Sequence, residues 1–98
     1  MEHLATLKRI DLHRLVIFLA IYDAGSVSKG AQLLGLTQPA ASNALSCLRR
    51  AYQDELFLRC GRGIFPTPKA DQLAECLRPV SAALEKARSL ADLNKDLV

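Results

Sequence analysis

Two short helical segments, joined by a turn of a few residues, most constrain the fold of this sequence. The first spans residues 29–34, with Ser28 as its candidate N-cap and with Gly35 at its end, where glycine readily takes the left-handed conformation. The second spans residues 38–53 and begins three residues after that glycine. Two helices joined this closely predict a helix-turn-helix.

The second segment divides into two faces. Thr37 is its candidate N-cap, and Pro39 is tolerated near its start because first-turn N–H groups have no intrahelical acceptor. At about 100° per residue, the apolar residues share one side of the helix. They are Ala41, Ala44, Leu45, Leu48 and Tyr52. The opposite side, which we expect to form hydrogen bonds at the surface, comprises Gln38, Ser42, Asn43, Ser46, Arg49, Arg50 and Gln53.

The flanking segments complete the same architecture. Before the pair, Asp11 is the candidate N-cap of an amphipathic helix that ends at Gly25, and small residues at 30 and 31 let another helix approach closely. After the pair, residues 55–66 contain two strand-like runs around a glycine-containing reversal at 60–63. We therefore expect a mainly α fold, a winged helix-turn-helix of three helices and a two-stranded wing, over residues 1–66.

A long helix for dimerisation is predicted over residues 67–98. Thr67-Pro68 is a strong helix start, and Pro79 removes one backbone hydrogen bond, so we expect a bend there rather than a break. A continuous helix of roughly 30 residues is about 45 Å long, which exceeds what the small domain needs for its own core. Its apolar residues recur four and three apart, as in a coiled coil, and predict a seam for a partner. They are Leu73, Leu77, Val80, Leu84, Ala87 and Ala91.

Composition and charge limit the classes of function. Half of the residues are hydrophobic and 23% are charged, which is too apolar for a disordered tail, while the apolar runs are too short to cross a bilayer. The net charge is +3, and residues 1–70 hold nine Lys and Arg against five Asp and Glu. That surplus is compatible with a polyanionic partner or with an ordinary solvated surface. The N-terminus lacks a secretory pattern, so we expect a cytoplasmic protein with no membrane association.

Candidate catalytic and metal-binding residues do not form a pattern. The three cysteines contain no C-x-x-C motif and leave one thiol unpaired in any disulfide scheme, so we expect reduced, mostly buried thiols. They are Cys47, Cys60 and Cys76. His3 and His13 lack ligand-like spacing to them, and Asp54-Glu55 is interpreted as a solvated turn at the entrance to the wing. We therefore expect no enzyme, no metal and no cofactor.

The polar face of residues 38–53 has the chemistry to bind DNA in the major groove, where each base pair shows a distinct pattern of donors and acceptors. Gln38 can pair with an adenine edge, and Ser42 can donate or accept. Arg49 or Arg50 can contact phosphate or guanine, and the N-terminus of the helix favours a phosphate. The candidate DNA-binding residues are Ser28, Thr37, Gln38, Pro39, Ser42, Asn43, Ser46, Arg49, Arg50, Arg59 and Arg62.

Four segments occur in an informative order: Gly-Ser-Val-Ser at 25–28, residues 33–42 with Thr-Gln-Pro-Ala-Ala-Ser, Leu-Phe-Leu-Arg at 56–59, and Pro-Thr-Pro at 66–68. Together they resemble the N-terminal module of LysR-type transcriptional regulators, over nearly all of residues 10–90. Residues 42–45, 54–57 and 61–64 are more similar to the branch that holds the nodulation, naphthalene-degradation and LeuO regulators.

This resemblance implies a homodimer, paired antiparallel through the long helix, that presents two recognition helices to a dyad-symmetric, often AT-rich site in double-stranded DNA. Asn43 departs from the family, in which arginine is common at that position, and Pro79 matches a proline common in its linker helix. The family's C-terminal effector-binding domain is absent from these 98 residues, so a small-molecule effector is expected only through that missing domain. The positions that match the family's recognition helix and wing are Thr37, Gln38, Pro39, Ser42, Arg59 and Arg62.

A protein-interaction module of the same shape is the alternative hypothesis. It would use the long helix as an oligomerisation arm and would carry an apolar, uncharged surface on residues 38–53. Arg49, Arg50 and the wing residue Arg62 argue against that surface. Retained dimerisation with no DNA shift, or a salt-independent one, would favour this alternative.

Overall fold

Five helices and one two-stranded antiparallel sheet form the computed structural model, which describes the backbone of residues 2–97 and the side chains of residues 4–92. The two strands lie between the fourth and fifth helices, which confirms the expected mainly α, winged helix-turn-helix fold. In chain order the elements are α1 (Glu2–Lys8), α2 (Leu12–Ala24), α3 (Val27–Leu33), α4 (Gln38–Tyr52), β1 (Phe57–Cys60), β2 (Gly63–Pro66) and α5 (Pro68–Leu97).

Helix α1 lies outside the elements expected from the sequence. It has seven residues and precedes the amphipathic pattern that starts at Asp11. Its side chains at Leu4 and Leu7 are exposed. A helix this short has little stability of its own in water, and its leucines add little to the core.

Helix α2 has the ends predicted for it. Asp11 Oδ1 accepts a 3.1 Å hydrogen bond from Arg14 N, as an N-cap does. Gly25 follows the helix with φ 71°, and its N–H donates to Ile21 O at 2.9 Å. The left-handed conformation at Gly25 reverses the chain toward α3 at little steric cost.

The predicted N-cap of α3, Ser28, is wrong. The helix starts at Val27, and Ser26 Oγ accepts from Lys29 N at 3.2 Å. Ser26 has extended backbone (φ −161°, ψ 137°), the conformation of a residue that caps a helix. Ser28 instead lies in the first turn and is exposed.

Two glycines determine how α3 packs against α2 and how the chain turns into α4. A Cβ on Gly30 would lie 2.8 Å from the Cα of Ile21, so α2 and α3 can pack this tightly because residue 30 has no side chain. Gly35 has φ 67°, as the sequence predicted. Thr37 Oγ1 then accepts from Ala40 N at 3.2 Å and caps α4, with Pro39 in its first turn.

The core lies among α2, α3, α4, the wing and the start of α5. Its largest fully buried side chains are Phe18, Ile21 and Leu56. The rings of Phe18 and Phe57 pack with centroids 5.4 Å apart, which joins α2 to the wing. The face of α4 predicted to be apolar is buried at Ala41, Ala44, Leu45 and Leu48, with Tyr52 half-buried against the same core.

The wing is a β1–β2 hairpin with Phe57 opposite Pro66 and Cys60 opposite Gly63. Phe57 points into the core, whereas Arg59 is exposed. Gly61, in the reversal, has φ 61°. Arg62 follows it and is exposed at the tip of the hairpin.

Helix α5 continues without interruption through Pro79 to Leu97. Thr67 Oγ1 accepts from Ala70 N at 3.1 Å and so caps its start. Ala70 and Ala74 are buried in the core, which fixes the first turns of α5 to the domain. At 1.5 Å per residue the helix is about 45 Å long, so most of it projects beyond those buried turns.

The expectation of mostly buried thiols is wrong. Cys60 and Cys76 are exposed and Cys47 is half-buried, and all three are free thiols. Cys60 lies at the end of β1 and Cys76 on the outer side of α5, where neither residue contributes to the core. Among the described residues, no helix combines the length and the apolar character needed to span a bilayer.

Candidate nucleic-acid interface

The exposed face of α4 begins at the N-terminal end of the helix. Gln38, Ser42, Asn43 and Ser46 are all exposed on it, opposite the buried alanines and leucines. Thr37 and Pro39 are exposed at its start, and the Thr37 hydroxyl, which accepts from Ala40 N, keeps its proton for a further acceptor. These short polar side chains project from a helix whose first turn carries the positive end of its dipole.

Two arginines at the other end of α4 have different surroundings. Arg49 is half-buried, and its Nε donates to Glu55 O at 2.7 Å, with the Glu55 carboxylate 3.9 Å away. Arg50 is exposed, and its Nη2 donates to Cys47 Sγ at 3.5 Å. Arg49 therefore ties α4 to the entrance of the wing, while Arg50 presents its charge to solvent.

A cleft of about 220 Å³ brings the wing arginines to the start of α4. Ser28 and Gln38 line one side of it, and Arg59 and Arg62 line the other. Four predicted site residues from four separate elements or turns thus surround one polar cavity. Together with the exposed face of α4, this cleft forms what we call the interface face, comprising Ser28, Gln38, Ser42, Asn43, Ser46, Arg59 and Arg62.

The base of the wing is held by Asp54. Its Oδ2 accepts from Leu56 N at 2.8 Å and from Thr67 Oγ1 at 2.6 Å. The hydrogen bond from the Thr67 hydroxyl, followed by that from Leu56 N, lowers the pKa of the Asp54 carboxyl from its ordinary value. Asp54 is therefore a structural acceptor that sets where the wing leaves α4, and not a solvated turn residue.

An apolar groove of about 270 Å³ separates the N-terminal half of α2 from the middle of α5. Leu12 and Val16 face it from α2, and they are 41% and 42% exposed. Leu77, Val80 and Leu84 face it from α5. In the predicted seam, Leu73 and Leu77 are half-buried against the domain core, whereas Val80, Leu84, Ala87 and Ala91 are exposed.

Beyond this groove, polar contacts join the C-terminal end of α2 to α5. Tyr22 Oη donates to Asp71 Oδ1 at 2.7 Å. Arg78 Nη1 donates to Asp23 Oδ2 at 2.9 Å, its Nη2 donates to Asp23 Oδ1, and its guanidinium lies 5.9 Å from the centre of the Tyr22 ring. We call Tyr22, Asp23, Asp71 and Arg78 the α2–α5 clamp.

Contacts within the α2–α5 clamp shift the pKa values of Asp23 and Tyr22. The hydrogen bond from Arg78, together with its positive charge, lowers the pKa of Asp23. Donation to Asp71 raises the pKa of Tyr22, because the neutral phenol is the form that donates.

Within residues 4–92, no three His, Cys, Asp or Glu side chains converge as a metal site would require.

Comparison with known proteins places these features in a family. The family of bacterial regulatory helix-turn-helix proteins described as the lysR family matches residues 12–71, which is more than half of the chain. The chain belongs to the LysR family. The matched range runs from the start of α2 to the first turn of α5, so it contains the interface face of this LysR-family domain and the base of its wing.

Relatives and solved structures of the LysR family are similar over most of the chain. The transcriptional activator NagR of a Ralstonia species is 51% identical over 78 residues, which cover 80% of this chain and 25% of NagR. The transcriptional regulator LeuO of Escherichia coli is 43% identical over 72 residues, covering 74% and 23%. The crystal structure of a complex between the CbnR DNA-binding domain and DNA is similar with a TM-score of 0.69 and 25% identity, over 90% of this chain and 98% of that one.

The chain spans about a quarter of the length of these two curated relatives. LeuO belongs to the branch that the motifs at 42–45, 54–57 and 61–64 indicate. The family match alone identifies neither the clamp nor the structural role of Asp54. Asp54 could have been found from its position two residues before Leu56, since Asp side chains often bond to the backbone N–H two residues later.

Proposed function

We propose that this LysR-family domain binds double-stranded DNA sequence-specifically, as a homodimer, and thereby regulates transcription. The observation that carries the proposal is the interface face: an exposed polar face on α4, beside a cleft that holds Arg59 and Arg62. An α-helix with its side chains is about 10–12 Å across and fits a major groove about 12 Å wide. In this proposal α4 lies in that groove with its first turns toward the bases.

Base recognition is assigned to the start of α4. Gln38 carries a side-chain amide that can bond to adenine N6 and N7 together, and Ser42 lies one turn further along the same face. Asn43 and Ser46 lie on the same exposed face of α4. Asn43 has an amide at the position where arginine is common in the family, so it lacks the guanidinium that would contact guanine or phosphate. We therefore assign direct readout mainly to Gln38 and Ser42.

Phosphate and minor-groove contacts are assigned to the arginines. Arg59 and Arg62 are exposed on the wing, and Arg50 is exposed at the end of α4. The narrow minor groove of AT-rich DNA has an enhanced negative potential that attracts arginine. An AT-rich site next to the bases read by α4 is consistent with this arrangement. Because Arg49 Nε already donates to Glu55 O, we assign Arg49 no base contact and only a contact with the DNA phosphates.

Dimerisation is assigned to α5 and to the groove beside it. Val80 and Leu84 are each 44% exposed, on a helix that continues far beyond the core. Packing a second α5 against these residues would bury apolar surface and would relate the two α4 helices by a twofold axis, which predicts a dyad-symmetric DNA site. We assign residues 1–66 to a DNA-binding unit and residues 67–98 to a linker helix for dimerisation.

The proposal places the protein in the bacterial cytoplasm, where its DNA target is. Any response to a small-molecule effector is assigned to parts of a longer protein, since the chain spans about a quarter of its relatives. We assign no cofactor and no catalytic residue to the 98 residues. Activation and repression are equally compatible with this geometry.

Selection from random duplexes tests the proposal directly. The chain is incubated with a pool of duplexes that carry a 40-base-pair random core, and the retained sequences are read. We expect inverted half-sites whose centres lie about one duplex turn, or a multiple of it, apart. If each protomer neutralises three or four phosphates, log K against log salt for a selected duplex has a slope of about −5 to −7. Dimers that retain no duplex would favour the protein-interaction alternative.

A substitution at Gln38 distinguishes base recognition from contacts with the DNA phosphates. On the selected duplexes, Gln38→Ala is expected to cost about 1–3 kcal/mol at particular base pairs and little at others. Gln72→Ala, at an exposed glutamine of α5 away from the interface face, serves as the matched control. Equal weakening by Gln38→Ala on every sequence would rule out a reading role for Gln38.

A further inference from the structure

The α2–α5 clamp sits where α5 leaves the domain. The first turns of α5 are fixed by Ala70 and Ala74 in the core. Arg78 is the next polar anchor, and beyond it α5 runs past the N-terminal half of α2 across the apolar groove that Leu12 and Leu84 line. The ion pairs of Arg88 further along, with Glu85 and Asp92, stay within α5. The clamp is thus the last polar tie described between α5 and the body of the domain.

The position of the clamp next to Pro79 increases its effect on helix direction. Proline lacks a backbone N–H and removes the hydrogen bond that Glu75 O would accept, so α5 bends most easily at this point. Arg78 immediately precedes it and holds the helix to Asp23 through both guanidinium Nη atoms. The Arg78–Asp23 pair is therefore placed to bias the direction that the second half of α5 takes from Pro79.

A small change in that angle has a large effect at the far end of α5. The helix extends about 28 Å from Arg78 to its end, so a tilt of about 10° moves that end by about 5 Å. One base pair of DNA rises about 3.4 Å. In a dimer joined through α5, the separation of the two α4 helices changes by a comparable distance.

We propose that the α2–α5 clamp is a specificity-determining device that sets the spacing between the two DNA half-sites. The proposal rests on the function proposed above, a dimer that binds paired half-sites through α4. Arg78 and Asp23 act as positioning residues: they touch no base, and they act through the direction of α5. The clamp selects among DNA sites by geometry, while Gln38 and Ser42 select by sequence.

Exposure of the clamp favours a positioning role over a stabilising one. The side chains of Arg78 and Asp23 are 52% and 47% exposed, and ion pairs this exposed add little to folding stability. The packing of α2 is secured independently by Phe18 and Ile21, which are fully buried. Loss of the ion pair is therefore expected to change the direction of α5 more than the fraction of folded domain.

The test repeats the random-duplex selection with clamp variants. Wild type is expected to enrich one dominant spacing, and Arg78→Gln to enrich a broader set. Discrimination between the preferred spacing and one that is a base pair longer is expected to fall about two- to tenfold, because each dimer loses two exposed ion pairs. Affinity for a duplex with a single half-site is expected to be unchanged. The reversed pair, Asp23→Arg with Arg78→Glu, is expected to restore a narrow distribution.

Controls make the result decisive. Lys86→Gln removes a charge of the same sign from the exposed part of α5 and is expected to leave the spacing unchanged. Tyr22→Phe, which removes only the hydroxyl bonded to Asp71, provides a milder variant if Arg78→Gln unfolds by circular dichroism. An unaltered spacing distribution in folded clamp variants would overturn the proposal. Failure of the underlying function looks different, because the wild-type chain would then enrich no paired half-sites.

Discussion

Thr67 Oγ1 donates a 2.6 Å hydrogen bond to Asp54 Oδ2 across 13 residues of chain, and this contact closes the base of the wing. The same hydroxyl accepts from Ala70 N as the cap of α5, and the same carboxylate oxygen accepts from Leu56 N. Thr67 N also donates to Leu56 O at 2.9 Å. The end of α4, the wing and the start of α5 therefore meet in one hydrogen-bonded junction, and its strength depends on the ionisation of Asp54.

Asp54→Ala is expected to lower the midpoint of thermal unfolding, by an amount that depends on pH. The pKa of Asp54 is lowered in the folded domain from its ordinary value of 3.8, so its stabilising effect is present above that value and is lost as the pH falls through the lowered pKa. Circular dichroism melts between about pH 7 and pH 2.5 measure the difference between variant and wild type. That difference is expected to shrink at low pH.

Asp92→Ala serves as the control for this series, since Asp92 is an exposed acid whose partner, Arg88, lies in the same helix. A gap between Asp54→Ala and wild type that stays constant over the whole pH range would contradict the role given to the carboxylate.

Gln53→Gly is expected to stabilise the domain by about 0.5–1 kcal/mol. Gln53 ends α4 with φ 51°, a left-handed conformation that strains a residue with a Cβ. Urea denaturation measures the free energy of unfolding. Gln72→Gly, in the interior of α5, is the control and is expected to destabilise by about 1 kcal/mol. Destabilisation by Gln53→Gly would show that the side chain matters more than the backbone strain.

Gly30→Ala is expected to destabilise the domain by about 1–3 kcal/mol, because the new Cβ would overpack the contact between α2 and α3. That atom would lie 2.8 Å from Ile21 Cα, which is backbone and cannot rotate away. Gly63→Ala, where the added Cβ meets nothing within 4 Å, is the matched control. The same denaturation experiment ranks the two variants, and equal stabilities would argue against the close packing.

Leu84→Lys is expected to shift the chain from dimer to monomer. Leu84 lies in the groove beside α2 and is 44% exposed in the single chain, so a charge there would be buried in the proposed dimer. Sedimentation equilibrium at several concentrations measures the shift. Leu33→Lys, at an exposed leucine of α3, makes the same chemical change outside the groove and is expected to leave the dimer intact.

Local sequence rules predicted the helix-turn-helix because its boundaries are determined by neighbouring residues. The Asp11 and Thr37 caps, the left-handed Gly25 and Gly35 and the buried face of α4 all follow from contacts within a few positions. The Ser28 cap failed for a local reason too. Two serines flank Val27, and which of them caps α3 depends on where the chain leaves Gly25.

Long-range contacts could not be predicted in the same way. The Asp23–Arg78 pair spans 55 residues and the Asp54–Thr67 bond spans 13, and no periodicity connects their partners. The prediction of buried thiols is wrong for Cys60 and Cys76 because apolar character alone does not fix the side of a strand or helix on which a cysteine lies. The spacing along α5 predicts a seam for a partner, which stays a prediction, and the groove that Leu12 and Val16 form with three of its residues depends on tertiary packing that the spacing does not reveal.

The two ends of α2 make different contacts. Its last turn holds α5 through Tyr22 and Asp23, and its first turns present Leu12 and Val16 to the groove. In the proposed dimer, substitutions at Leu12 and Val16 would alter the contact surface offered to a second copy, because both side chains are exposed rather than part of the core. Under the same proposal, related regulators could keep a similar α4 and still avoid mixed dimers through differences at a few apolar positions.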